Sequence, residues 1–217
     1  MRIGLLGGSF NPVHNAHLRI AGAAQVFCRL DRIIFIPAAD PPHKSVAGEV
    51  SFACRSEMVS IAIAGRAGFE MSTVEAERSG KSYSIDTIRI FQEQFPEDDL
   101  FFIIGADSFL EIGTWHRYGE ILNSCHLIVL ARPGSPVSDR IAALPKAVRN
   151  EFTFDNDNSG LLRHLSDTTI SFITAIPLDI SSTAIRRLAA TDDDISAFVP
   201  PDVAAYISQK RIYHKCR

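Results

Sequence analysis

Two histidines three residues apart close a glycine-bearing segment, Gly7-Gly8-Ser9-Phe10-Asn11-Pro12-Val13-His14-Asn15-Ala16-His17-Leu18. At that spacing on a helix they share a face, so both rings can donate to one anion. The glycines let backbone N–H groups approach a ligand with no Cβ in the way. Leu18, Ala21, Ala24 and Cys28 recur at helical spacing, which predicts a helix starting near Asn15 with its positive end facing the same way. The expected chemistry is phosphate binding by Gly7, Gly8, Ser9, Phe10, His14 and His17.

Other readings of the segment compete with this one. A zinc-ligand pair usually sits mid-helix with a third His, Cys or carboxylate close by, and none is supplied here. A dinucleotide fingerprint needs G-x-G-x-x-G, whereas this turn carries Gly4, Gly7 and Gly8, and no G-x-x-x-x-G-K-S/T occurs in the chain. A purely structural pair, capping or packing, is the remaining alternative.

Strand-like apolar runs recur at 3–6, 33–36, 69–74, 100–104, 127–130 and 170–176, with amphipathic segments between them. Such alternation predicts an α/β fold with a doubly wound parallel sheet, whose ligands sit beyond the carboxyl ends of the strands. Gly7, Pro37, Gly105 and Arg132 follow strands in this way. Met58, Ile61 and Ala62 mark one helix face, and Ile85, Ile88, Phe91 and Phe95 another, with Ser84 as the expected cap of the latter. Residues 135–169, rich in Pro, Gly, Ser, Asp and Asn, read as a loop or mobile connection around a short helix.

A chain of 217 residues suits one domain, 1–217, burying about 70 to 75% of its unfolded surface. With 46% hydrophobic and 22% charged residues and a net charge of −3, it gives no electrostatic reason to bind nucleic acid. Cys28, Cys54, Cys125 and Cys216 form no C-x-x-C and read as reduced thiols. The first apolar run stops at Gly7, too early for a secretory signal, and no segment approaches the ~20 apolar residues of a membrane span. A cytoplasmic location is expected.

The segment from Gly7 to Leu18 resembles the H-x-G-H signature of nucleotidyltransferases that move a nucleotide from a triphosphate onto a phosphorylated acceptor. Within them the chain is most similar to bacterial nicotinate mononucleotide adenylyltransferases. Further blocks match in order: Pro41-Pro42-His43-Lys44, Ser82-Tyr83-Ser84-Ile85-Asp86-Thr87, Gly105-Ala106-Asp107-Ser108 followed by Trp115, and Ile180-Ser181-Ser182-Thr183-Ala184-Ile185-Arg186. They run from Arg2 to Tyr206 and leave 135–169 without a counterpart, so Arg163 and His164 receive no role.

The resemblance implies a Rossmann-like fold and transfer of adenylyl from ATP to nicotinate mononucleotide, with magnesium as the ATP counterion. His14, His17, Lys44 and Arg186 would be the catalytic set. Gly7, Gly8, Ser9, Phe10, Gly105, Asp107, Ile180, Ser182 and Thr183 would complete the ATP site. Acceptor recognition would fall to Lys44, the backbone amides of Ser84 and His116, stacking on Trp115, and Arg132. The blander reading of Trp115 is core packing, of Asp107 a helix cap, of Lys44 a solvated loop cation, and of Ser181-Ser182-Thr183 an N-cap.

Two positions depart from the family pattern: Ala16 stands for the usual glycine and Asn11 for the frequent aspartate, changes that bear on affinity more than on chemistry. A phosphopantetheine adenylyltransferase and a non-catalytic nucleotide sensor of the same fold are the alternatives. Pro41 to Lys44, Ser82 to Thr87 and Trp115 argue against the first, and retention of both histidines and Arg186 against the second. Association into a homo-oligomer is left open.

Overall fold

The computed structural model describes residues 1–41, 50–131, 141–155, 158–174 and 180–214. Its strands are β1 Arg2–Gly8, β2 Arg32–Pro37, β3 Phe69–Met71, β4 Asp99–Gly105, β5 His126–Ala131, β6 Phe152–Asp155, β7 Asn158–His164 and β8 Thr169–Thr174. Its α-helices are α1 Asn15–Phe27, α2 Phe52–Ile63, α3 Ser84–Gln94, α4 Ala106–Leu110, α5 Tyr118–Ser124, α6 Ser182–Ala190 and α7 Pro201–Gln209. The sheet order is β3-β2-β1-β4-β5-β8-β7-β6. Strands β1, β4, β5 and β8 pair in parallel, with Leu5 opposite Phe102, Phe102 opposite Leu127, and Leu127 opposite Ile170. The doubly wound Rossmann-like order 3-2-1-4-5-6 is thus present, with β8 as its sixth strand.

The edge beyond β8 corrects the later part of the loop expected across 135–169: residues 135–140 lie outside the described ones and 141–151 are turns ending in a short 3-10 helix, but strands follow from Phe152. Strands β7 and β8 pair antiparallel, as do β6 and β7, so the sheet is mixed. The Asp/Asn-rich run that suggested a loop begins at the last residue of β6, Asp155, and ends at the first of β7, Asn158; Phe152 and Leu162 of these strands are buried, whereas Phe154 is exposed. Two smaller expectations also shift. Ser84 is the first residue of α3, not its cap; Tyr83 holds the N-cap position in extended backbone with no side-chain cap bond. Helix α2 buries Arg55, Ser56, Met58, Val59, Ala62 and Ile63, leaving Ile61 half-buried, because the stripe is counted from residue 55.

The chain forms two compact units: Met1–Leu6, Ala23–Ile33 and Tyr83–Pro177 in the first, and Gly7–Gly22, Ile34–Ser82 and Leu178–Arg217 in the second. The first is built on the buried runs of β4 and β5. Its close packing shows at Gly4, where an added Cβ would lie 2.8 Å from Leu30 Cδ1 and 3.1 Å from side-chain atoms of Ile33 and Ile103. The second is built on Phe10, Phe35, Met58, Val59, Ile185, Val199, Val203 and Ile207. Among the described residues no helix is long and apolar enough to cross a membrane.

Candidate functional site

The residues expected to meet phosphate lie in the second unit. Phe10 adopts φ +44° with its ring fully enclosed. A bulky residue holds that conformation only where packing dictates it. The ring stands edge-on to His17, with centroids 5.1 Å apart, and 5.9 Å from Phe35. The next peptide, Asn11–Pro12, is cis.

Helix α1 then starts at Asn15, whose N–H donates to the Phe198 carbonyl at 2.8 Å. The His14 carbonyl accepts from the N–H groups of His17 at 2.9 Å and Leu18 at 3.4 Å. In return His17 Nδ1 accepts the His14 N–H at 3.2 Å. This is the reach-back that a Glu or Gln makes in a capping box. The two rings stack at 3.7 Å with an interplanar angle of 28°.

The cap contact decides the chemistry of His17. With Nδ1 accepting, the neutral ring carries its proton on Nε2 and offers one directed donor. Burial and the adjacent His14 push its pKa well below 6.5. At neutral pH His17 is therefore an uncharged N–H donor at the start of a helix.

Helix α6 meets the same loop. Ser181 is its N-cap, its Oγ accepting from the Ala184 N–H at 3.1 Å. Ser182 Oγ donates to the Pro12 carbonyl at 3.1 Å. Arg186 Nη1 donates to the Asn11 carbonyl at 2.9 Å, and Nη2 to Thr183 Oγ1 at 3.2 Å. Ile180 and Ser182 are half-buried and Thr183 exposed. A guanidinium has five N–H donors, so Arg186 braces the loop with capacity for further acceptors.

Two side chains that the sequence reading passed over also hold this loop. Tyr213 Oη donates to Asn11 Oδ1 at 2.7 Å, so the asparagine at the family's aspartate position is itself engaged. Arg55, 1% exposed, donates from Nη1 to the Ser9 carbonyl at 2.6 Å and from Nη2 to the Ala38 carbonyl at 2.8 Å.

Gly105 and Asp107 of the expected ATP set, and Ser84, Trp115 and His116 of the expected acceptor set, lie in the first unit. Gly105 ends β4 in extended backbone, φ −76°, and caps α4. Asp107 is exposed in the first turn of that helix. Trp115 is half-buried and meets Phe102 edge-on at 6.3 Å. The exposed His116 lies against the Tyr83 ring at 4.3 Å, and Ser84 opens α3 one residue beyond that tyrosine. Ser84 is thus among the first N–H groups of a helix, which have no intrahelical acceptor. Lys44 and Arg132 lie outside the described residues. Arg163 and His164, given no role, have structural partners in β6 and before it: Arg163 Nη2 to Asp155 Oδ2 at 2.8 Å and His164 Nε2 to Glu151 Oε2 at 2.8 Å. Among the described residues no group of three or more His, Cys, Asp or Glu could hold a metal ion.

Comparisons with known proteins agree in direction with this geometry. A family model described as cytidylyltransferase-like matches residues 5–188. A probable nicotinate-nucleotide adenylyltransferase of Pelobacter propionicus is 56% identical over 216 residues, covering 100% of both chains. One from Geobacter metallireducens is 49% identical over 213 residues, covering 98% of each. Among solved structures, the Plasmodium falciparum nicotinic acid mononucleotide adenylyltransferase complexed with APC superposes with a TM-score of 0.73 at 18% identity, over 98% of this chain and 96% of that one. The same protein complexed with NaAD gives a TM-score of 0.73. At that identity the likeness is one of fold.

Proposed function

Since the chain belongs to the cytidylyltransferase-like family and, within it, to the nicotinate-nucleotide adenylyltransferases, we propose that it transfers adenylyl from ATP to nicotinate mononucleotide in NAD biosynthesis, through the residues assembled above. A phosphate oxygen of the mononucleotide attacks the α-phosphorus of ATP, the bond to the bridging oxygen breaks, and pyrophosphate leaves with the electron pair. The attacking oxygen is already anionic, so no protein nucleophile or base is required. Catalysis is alignment plus stabilisation of charge on phosphate oxygens.

In this reading His17 donates from Nε2 to the α-phosphate, with His14 beside it. The amides of Gly7, Gly8, Ser9 and Phe10 and the start of α6, at Ile180, Ser182 and Thr183, hold the triphosphate, and Arg186 clamps it. Gly105 and Asp107 take the nucleotide's ribose side. Trp115 stacks on the pyridine, the amides of Ser84 and His116 meet the nicotinate carboxylate, and Lys44 and Arg132 hold the acceptor's phosphate charge. Magnesium, brought as the ATP counterion, would supply charge shielding for the triphosphate, with no dedicated carboxylate cage among the described residues. We also take residues 1–217 as one domain, because β1, α1 and β2 each contribute to both compact units. The reading extends to a cytoplasmic enzyme that needs neither nucleic acid nor membrane as partner.

The observation that carries the proposal is His17, held at a helix start in one tautomer, uncharged and stacked on His14. Pyrophosphate release from magnesium-ATP with nicotinate mononucleotide, its amide analogue and phosphopantetheine tests it. Preference for the first supports the reading, because amides aimed at a carboxylate discriminate against a neutral carboxamide. Turnover with phosphopantetheine alone overturns the acceptor assignment, and none with any acceptor leaves a nucleotide sensor.

A further inference from the structure

Among the described residues Arg55 heads the large side chains that are fully buried, yet it carries a charge. It lies in the first turns of α2, on the face that also buries Met58, Val59 and Ala62. Among the described residues it forms no ion pair. Burial lowers its pKa, and at neutral pH that is opposed only at longer range, by Glu75, itself buried. Burying a guanidinium without a paired carboxylate is costly, and a well-packed apolar side chain is often as stable at such a site. Packing alone therefore does not account for an arginine at 55.

Its two hydrogen bonds do. Nη1 holds the Ser9 carbonyl at 2.6 Å and Nη2 the Ala38 carbonyl at 2.8 Å. In a trans peptide the carbonyl and the following N–H lie in one plane and point in opposite directions. Drawing the Ser9 carbonyl inward turns the Phe10 N–H outward, and drawing the Ala38 carbonyl inward does the same for the Ala39 N–H. Ser9 belongs to the loop after β1, and Ala38 opens the loop after β2, the one that leads into Pro41-Pro42-His43-Lys44. The Ala38 N–H donates to the Gly8 carbonyl at 2.8 Å, and Ser82 binds Asp40 twice, N–H to carbonyl at 2.9 Å and Oγ from the Asp40 N–H at 3.0 Å. One guanidinium thus joins the starts of both loops, and the second loop is braced again two residues on.

We infer that Arg55 is a positioning residue for the transfer, setting the Phe10 amide toward the triphosphate and the Ala38–Asp40 stretch after β2 toward the acceptor from a place where it touches neither substrate. The inference rests on the reaction proposed above.

The test compares Arg55→Lys and Arg55→Met with the wild type. Ser9 and Ala38 are half-buried, so water can take over the carbonyls and the fold survives. Should Arg55→Met fail to fold, Arg55→Lys, which keeps the charge and one donor group, carries the test alone. Expected are a rise of about tenfold in KM for both magnesium-ATP and nicotinate mononucleotide in Arg55→Met, a smaller rise in Arg55→Lys, and a matching loss of ATP affinity by calorimetry. A merely structural arginine would lower kcat in step with the folded fraction and leave KM unchanged, and that result overturns the inference. So do KM and calorimetric affinity within twofold of wild type in folded variants. If the wild type turns over no acceptor, the reaction is wrong, while ATP affinity of the variants still decides Arg55.

Discussion

His17 works as a donor only while one nitrogen is occupied and the other bears the proton, and both conditions come from its own helix start. Replacing it by alanine removes the donor and leaves α1 with its other bonds. His17→Ala is expected to lose about 10²-fold or more in kcat while keeping its far-ultraviolet spectrum. Near-wild-type turnover in the folded variant would sink the role. The same residue makes stability depend on pH. In the folded chain its pKa sits well below 6.5, so below pH 6.5 the unfolded chain binds more protons than the folded one. Stability therefore falls as pH drops below 6.5 and goes on falling down to the depressed folded pKa. Denaturant titrations between pH 7 and 5 should show a shallower slope for His17→Gln than for wild type, and equal slopes would contradict the assignment.

The histidine pair was legible because everything it needs lies within twelve consecutive residues. Arg55 left a fainter sign: a charged residue standing at i with Met58, Val59 and Ala62 at i+3, i+4 and i+7, on what is otherwise an apolar stripe. Tyr213 left none, since nothing local to it marks a partner 202 residues away.

At the level of elements, the long strands were readable because buried parallel strands are near-continuous apolar runs. The β6–β7 hairpin was not, since β6 has four residues and the run between the strands is polar. What holds that edge is a set of polar bonds around one buried histidine. His164, 6% exposed, binds Glu151 through Nε2 and Ser166 Oγ through Nδ1 at 2.7 Å, while Thr168 Oγ1 donates to the Leu122 carbonyl at 2.6 Å. His164→Ala removes a buried ring together with its bonds to Glu151 and Ser166 and should cost about 1–3 kcal/mol in chemical denaturation. Turnover per folded molecule should not change, and a selective loss of kcat would show that the hairpin belongs to the site after all. The N-cap of α3 was misassigned for a different reason. Serine is a good cap by propensity, but Tyr83 takes the extended cap position and leaves Ser84 inside the helix.

For the whole molecule, a ligand that binds only the folded form adds RT ln(1 + [L]/Kd) to its stability. Magnesium-ATP at a hundredfold excess over its Kd should add about 2.7 kcal/mol, and thermal unfolding with and without it measures this. An unmoved transition would mean that the loop, however well braced, does not take the nucleotide. The parallel centre of the sheet followed from alternation alone, whereas its strand order, its antiparallel edge and the site did not. Its phosphate loop is written near the start of the chain, but the groups that brace it come from α2, from α6 and from beyond α7.

That separation has a consequence for how the protein comes into being. The loop's partners Ser182, Arg186 and Tyr213 stand 170, 175 and 202 residues downstream of the groups they hold. At roughly 5–20 residues per second on a ribosome, the first-made part of the site waits about 10–40 s for the last of them. A chain stalled before α6 has its glycine turn and both histidines but neither the clamp nor the helix start that complete the cradle. The braces of the proposed nucleotide loop are thus complete only after residue 213 has been made.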